Sequence, residues 1–422
     1  MRFLYKICIW LYLILIVIVS PFHLKARRWL RGRYGIWKKI RENIKPGDRV
    51  IWIHCASLGE FEQGRTVIEE LKKRLPDRKL LLTFFSPSGY EFRKNFAGVD
   101  CVTYIPLDTR YNSWKFMNLV KPEAAFFIKY EFWYYFLRTM RKKKIPVFLV
   151  SAKFRRDQVF FKWYGSWFRK MLECFAILFV QNDHSKRLLN VVGIKNVMVT
   201  GDTRFDRVFS ISRKSVEYPW MEAFSKGKTV VIAGSTWEKD EDILIPYINQ
   251  SGPETRFILV PHEINEKKLI RLMEMIEHST VRFTDYDKST YSSAKVLIVD
   301  TIGHLSSLYK YGNIAYIGGG FGKGIHNILE AATYGLPVVF GPNYKNFLEA
   351  VELIELNGAW PVNNFEQLKK CLDQFMGSKD LLITCSEITR NYIKSRLGAT
   401  GLTIDLALQK IPDSGISEKV MG

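Results

Sequence analysis

An alternation of short apolar runs with amphipathic stretches, played through twice along the chain, most restricts what this sequence can fold into. RVIWIH (49–54), KLLLTF (79–84), EAAFFI (123–128), PVFLV (146–150) and AILFV (176–180) are apolar at nearly every position. Such runs suit strands covered on both faces. Between them, 61–75, 109–120, 130–143 and 183–192 carry helical spacing. The pattern restarts with TVVIAG (229–234), RFILVP (256–261), KVLIVD (295–300), NIAYIGG (313–319) and LPVVFG (336–341). Helical runs at 237–250, 263–277, 326–334, 345–356 and 380–397 separate this second set. Strand–helix alternation predicts parallel sheets layered with helices. The expectation is α/β: two doubly wound, Rossmann-like domains, 49–210 and 229–410, facing a central cleft. Polar residues, Pro219 and Gly227 place a hinge at 211–228, and 411–422 reads as a tail. Ligands of such sheets sit beyond the carboxyl ends of the strands.

The first 22 residues are different. FLYKICIWLYLILIVIVSPF (3–22) has its strongly apolar core from Ile7 to Val19. It reaches the roughly 20 residues needed to cross a membrane only if Lys6 snorkels. A small-x-small cleavage pattern is missing, and HLKARRWLRGR follows, so a retained membrane anchor is expected rather than a signal peptide. A helix lying in the interface is the alternative. Residues 23–48 form a basic juxtamembrane segment. Residues 23–50 hold ten Lys/Arg and two Asp/Glu, which predicts that the body lies in the cytoplasm, on the inner membrane. That stretch would also bind anionic lipid.

Charge is lopsided. The formal net charge is +21, yet residues 1–210 hold 40 basic and 17 acidic side chains, and the remainder 23 and 25. An anionic partner for the first half follows: nucleic acid, a membrane surface or a phosphorylated substrate. At 47% apolar and 25% charged, the 422 residues are neither fibrous nor mostly disordered, and one long apolar run excludes a polytopic membrane protein. The six cysteines form no CxxC pair, which fits free thiols in a reducing compartment. No HExxH or HxH pair occurs, so no metal centre is expected.

Three segments can carry chemistry. In HCASLGEFEQG (54–64) a strand ends, a small-residue loop follows, and Glu60 stands where a helix begins. A carboxylate there is either a general base or a charge that favours the helix dipole. In IKYEFWYYFLR (128–138), Glu131 also follows a strand and opens a helix. In YIGGGFGKGIHNILEAATYGLPVVFGP (316–342), glycines follow a strand, and Asn327 and Glu330 share a face of the following helix. Gly-rich turns before a helix suit phosphate and ribose. No GKS or GKT follows, so this is not a Walker loop. The basic aromatic segment KFRRDQVFFKWYGSWFRK (153–170) suits lipid headgroups or a domain core.

SLGE, TFFSPSGYE (83–91), YEFW (130–133), PVFLVSAKFRRDQ (146–158), VTGDTRFDRV (199–208), AGSTWEKDE (233–241), VPHE (260–263), IVDTIGHLSSLY (298–309), HNILEAA (326–332) and FGPNYKNFLEA (340–350) occur in this order. Together they resemble the 3-deoxy-D-manno-octulosonic acid (Kdo) transferases of lipid A assembly, over about residues 20–410. The resemblance implies a GT-B glycosyltransferase. The first domain would take a lipid A precursor, and the second CMP-Kdo as a substrate. No cofactor, metal or nucleic acid is implied, and the anomeric centre would invert. The family's catalytic base falls on Glu60, a second carboxylate on Glu131 and a transition-state cation on Arg204. CMP contacts fall on Pro261 and His262, on Ile302, Gly303 and His304, and on Asn327, Ile328, Leu329 and Glu330. Three positions depart from the usual pattern: His262 replaces Arg, Arg204 replaces Lys, and HNILEA lacks two prolines. Another GT-B enzyme using a different sugar nucleotide is the nearest rival. A membrane-anchored nucleic-acid-binding protein is a rival of another class, although no RRM, KH or helix-turn-helix signature occurs.

Overall fold

A computed structural model describes residues 1–285 and 293–412. The tail expected at 411–422 lies outside the described residues from 413 onward. Two compact units emerge: Met1–Arg207 together with the chain from Leu397 onward, and Val208–Arg396.

The first unit is built on seven strands: β1 (Val50–Cys55), β2 (Lys79–Phe84), β3 (Cys101–Tyr104), β4 (Pro122–Ile128), β5 (Val147–Ala152), β6 (Ile177–Val180) and β7 (Val197–Val199). Their order is β3-β2-β1-β4-β5-β6-β7, every pair parallel. β1 is buried throughout, because alternate residues serve opposite faces. Val50 and Trp52 join Phe116, Phe136 and Leu172 on one side. Ile51 and Ile53 join Phe61, Val67 and Leu71 on the other. Burial on both faces is why these strands read as unbroken apolar runs. β3 and β7 escape the sequence pattern. Each has only three or four residues and lies at a sheet edge, where one neighbour suffices.

The order reverses between β1 and β4, both of which adjoin one another and lead outward in opposite directions. Such a switch point opens a crevice at the carboxyl ends of the two strands. The helix Leu58–Arg74 leaves β1 there, and the loop 129–133 leaves β4.

The helix Ala399–Leu408 belongs to this unit, not to the second domain as the sequence spacing suggests. Ile404, Ala407 and Leu408 complete the Phe61 side of the sheet. Asp206 fixes the start of this helix by accepting from the backbone N–H of Gly398 at 2.7 Å and Thr400 at 2.6 Å. The expected hinge is also structured: it holds the end of helix Thr203–Arg213 and the whole of helix Pro219–Ser225.

The second unit repeats the plan: β8 (Thr229–Thr236), β9 (Thr255–Pro261), β10 (Thr280–Arg282), β11 (Val296–Ile298), β12 (Ile314–Ile317), β13 (Val338–Phe340) and β14 (Ala359–Pro361). The order is β10-β11-β9-β8-β12-β13-β14, again all parallel. Its switch point lies between β8 and β12.

The helix α1 (Arg2–Val19) has a mean hydropathy of 2.2 and no fully buried residue. Tyr5, Ile9, Leu13 and Ile16 are half-buried, a stripe at helical spacing, while Phe3, Trp10, Ile14 and Ile18 are exposed. Tyr5 donates its hydroxyl to Asp108 Oδ2 at 2.5 Å and packs against Tyr134, Tyr135 and Trp167. Tyr12, two turns on, packs against Trp29 and Phe85.

Candidate active site

Glu60 stands in the first turn of the helix Leu58–Arg74, just beyond β1. Its neighbour Ser57 is the N-cap residue, yet makes no side-chain hydrogen bond to the backbone. Its hydroxyl instead donates to Glu60 Oε2. The pair has the spacing of a capping box without closing one. A closed capping box would aim these groups at backbone N–H instead of at each other.

Glu131 leaves β4 across the switch point. It precedes its helix, which begins at Tyr134. Trp133 Nε1–H donates to Glu131 Oε2 at 2.7 Å, and His54 Nε2 lies 3.1 Å from the same oxygen. His54 is fully buried at the end of β1, with Nδ1 2.9 Å from the Thr83 hydroxyl and 3.1 Å from its carbonyl. Two rings thus orient one carboxylate oxygen. The Cys55 thiol lies in reach of both acids: burial, then the charges of Glu60 and Glu131, push it well up, so it stays protonated. The two carboxylates singled out by sequence therefore lie around one buried thiol, beyond the ends of the adjoining strands β1 and β4.

Arg204 is anchored rather than loose. Its Nε–H donates to Asp202 Oδ2 at 2.8 Å, and Gln63 Nε2–H donates to Asp202 Oδ1 at 2.9 Å. Gln63 lies one turn beyond Glu60 on the same helix. This links the cation to the carboxylate's own helix. Lys129 and Ser151, immediately after β4 and in β5, take φ of 65° and 52°. Non-glycine residues there are strained by roughly 1–3 kcal/mol each, a cost found most often around functional sites.

The second unit gathers its candidates beyond β8, β9 and β12. Pro261 ends β9, and His262 follows, its N–H donating to the Thr236 carbonyl at 2.9 Å. The His262 ring stacks on Trp237 at 4.6 Å and on His326 at 4.3 Å. Trp237 Nε1–H donates to His326 Nε2 at 2.9 Å. Ile302 is 89% exposed, Gly303 adopts φ +98°, and His304 Nδ1 meets the Tyr218 hydroxyl at 2.7 Å.

Asn327 and Glu330 are joined by a hydrogen bond from Asn327 Nδ2–H to Glu330 Oε1 at 2.9 Å. The helix expected from 326 begins only at Leu329. Asn327 lies before it and accepts from the Leu329 N–H at 3.2 Å, ending the loop instead of continuing a helix. Ile328 and Leu329 are buried, so their side chains serve the core. The glycines are required by crowding. A Cβ on Gly318 would lie 2.2 Å from the Ser235 carbonyl oxygen, and one on Gly320 2.5 Å from Gly341 N.

Sequence reasoning missed Asp240. It is fully buried on the helix Glu238–Gln250 and accepts from Trp237 N–H at 3.0 Å, Gly319 N–H at 2.8 Å and the Tyr316 hydroxyl at 2.9 Å. One carboxylate thereby ties the turn after β8 to the glycine turn after β12. The signal was Asp240 three residues beyond Trp237, the acidic arm of a capping box.

Burial, then the adjacent His262, hold His326 below the ordinary histidine value, with Asp240 opposing. The unfolded chain therefore binds this proton more readily, and stability rises with pH until about 6.5, the unfolded value. Thermal scans should show the protein losing stability between pH 7 and pH 5, and His326→Gln should flatten that part of the profile. An unchanged slope would contradict the assignment.

Comparison with known proteins gives a consistent likeness. Residues 28–207 match the 3-Deoxy-D-manno-octulosonic-acid transferase (kdotransferase) family. The 3-deoxy-D-manno-octulosonic acid transferase of Aquifex aeolicus is 28% identical over 348 residues, covering 80% of this chain and 89% of that protein. The Chlamydophila psittaci protein of the same description is 24% identical over 350 residues, covering 79% and 80%. The chain is similar to Kdo transferases over most of its length. Matches over about four-fifths of the chain carry this Kdo transferase likeness through both units.

Solved structures agree on the fold. UDP-GlcNAc 2-epimerase from Neisseria meningitidis superposes with a TM-score of 0.59 at 16% identity, covering 86% of this chain and all of that one. A glycosyltransferase from Rickettsia africae gives 0.57 at 12%, covering 87% and 100%. These likenesses bear on architecture, a GT-B-like pair of Rossmann-type domains.

Proposed function

We propose that this chain transfers Kdo from CMP-Kdo to a lipid A precursor, with inversion, release of CMP and no metal. The observation that carries the reading is the pair Glu60 and Glu131 at the β1/β4 switch point of a Kdo transferase-like domain. Glu60 accepts the proton of the acceptor hydroxyl as its oxygen forms a bond to the anomeric carbon. The bond from that carbon to the CMP phosphate oxygen breaks, and the electron pair leaves with CMP. Glu131, fixed by His54 and Trp133, supports the positive charge that develops on the sugar. Arg204, oriented by Asp202, stabilises the departing negative charge.

On the second unit, Asn327 and Glu330 suit the ribose, and the Trp237–His262–His326 stack suits the cytosine or the phosphate. His262 takes the place of an arginine, so the fixed charge and forked donors of a guanidinium are missing there. His262→Arg should therefore increase the rise in melting temperature that CMP produces. An unchanged or smaller rise would remove His262 from the phosphate.

α1 supports attachment to the inner membrane with the catalytic body on the cytoplasmic side. A helix spanning the roughly 30 Å hydrocarbon layer would carry Tyr5 to the far side. Its contacts with Asp108, Tyr134 and Trp167 favour a helix lying along the body, outer face in the lipid. Trp163, 91% exposed, belongs to the same aromatic segment as Trp167 and suits the headgroup level. In a Cys8→Ser/Cys174→Ser background, which leaves only buried native cysteines, a cysteine placed at position 2 or at position 20 should label from the cytoplasmic side. Labelling of position 2 only from the opposite side would restore the spanning arrangement.

A further inference from the structure

α1 roofs two adjoining cavities of opposite character within the first unit. One, about 730 Å³, is walled largely by apolar and aromatic side chains, among them Ile9, Leu13, Trp29, Leu30, Ile36 and Trp37. Its size is that of a ligand pocket, commonly about 300–1,000 Å³. The other, about 310 Å³, is lined by Arg2, Arg110, Arg138 and Lys142, with Tyr134, Tyr135 and Thr139. Arg110 and Tyr135 border both.

The basic cavity has four cations and no acid in its lining. Among the described residues none of the four is in an ion pair, and Arg138 has only the Tyr134 hydroxyl as a hydrogen-bond partner, at 2.8 Å. Four like charges so placed repel one another unless an anion joins them. The apolar cavity is bounded by Arg33, whose guanidinium lies over Trp29 at 3.5 Å and whose buried Nε–H has no partner among the described residues. The cavity also continues into the exposed apolar side of α1, where Trp10 lines it.

We infer that these cavities together hold one anionic phospholipid of the surrounding membrane, its phosphate among Arg2, Arg110, Arg138 and Lys142 and an acyl chain beneath α1. Charge complementarity selects an anionic headgroup, and continuity with the lipid-facing side of α1 selects a membrane lipid over a soluble phosphate. The position also separates this lipid from the reacting acceptor. Arg138 and Lys142 lie about one and two turns along the helix Tyr134–Lys142, leading away from Glu131. The bound lipid would seat α1 against the body.

The test uses the full-length protein in nanodiscs of phosphatidylcholine doped with brominated phosphatidylglycerol, read by tryptophan quenching. Brominated phosphatidylcholine measures quenching by partition alone. Phosphatidylglycerol should quench an additional fraction, saturating at low mole fraction. Arg110→Gln/Arg138→Gln/Lys142→Gln should raise the half-saturating fraction about ten-fold or more. Trp37→Phe should reduce the additional quenching while leaving half-saturation unchanged, which guards against a misfolded triple variant. Equal quenching by the two lipids, or an unchanged triple variant, overturns the proposal. So does competition by inorganic phosphate alone, or displacement of the brominated lipid by the lipid A precursor at stoichiometric amounts.

Discussion

Glu60→Ala lowers Kdo transfer by about 100- to 10,000-fold while leaving the protein folded and donor binding intact. Loss of a positioned general base costs on that order. The fold should tolerate the change, because Glu60 is only half-buried and, among the described residues, its side-chain hydrogen bond is to the Ser57 hydroxyl on the same turn. Measuring kcat at saturating acceptor, beside CMP-induced stabilisation, separates chemistry from binding. A fall of less than ten-fold would move the base elsewhere, with Glu131 next. Glu131→Gln differs in kind: it keeps the Trp133 and His54 contacts in shape but removes charge, so its loss should fall on kcat.

Asp240→Ala is the second large effect, and it acts on structure first. The substitution leaves the Trp237 and Gly319 N–H groups and the Tyr316 hydroxyl without their common acceptor in a fully buried position. Removing one partner of a buried charged network costs about 3–5 kcal/mol. For a unit near 190 residues that corresponds to a fall of about 6–20 °C in the melting temperature. Donor binding should weaken along with it, because the glycine turn after β12 loses its tie to the turn after β8. Asp240→Asn keeps an acceptor for one or two of the three donors and should lie in between. A shift under 2 °C for the alanine variant would show that the carboxylate does not organise these turns.

Much of this arrangement is legible in the sequence because parallel strands buried on both faces leave strong apolar runs. β1 and β4 are readable for that reason, and so are the acids that follow them. β3 and β14 are not. CVTY and AWP are short edge segments whose pairing comes from their neighbours, not from their own pattern. The glycines of 318–324 announce a tight turn, but three strand ends crowding one another is a tertiary fact. The same limit explains Ile328 and Leu329. They sit within the motif, yet their side chains complete the core, and only a structure tells a contact residue from its buried neighbour. The return of Ala399–Leu408 to the first sheet is equally tertiary. Its apolar face matches either unit, and the Asp206 cap, almost 200 positions upstream, decides between them.

His54 shows what residue type alone leaves out. It lies near the end of a buried strand and is itself fully buried. Its tertiary partner is invisible in the sequence: Nε2 faces Glu131, past the end of the adjoining strand.

The most direct test is transfer itself. Full-length protein in lipid, given a tetraacyl, bisphosphorylated lipid A precursor and CMP-Kdo generated in situ, should yield the Kdo-bearing lipid and CMP, without added metal and in the presence of chelator. UDP-sugars offered side by side should be left unused. A folded, membrane-bound protein that leaves the precursor unmodified, or that turns over a UDP-sugar in preference to CMP-Kdo, would contradict the assignment.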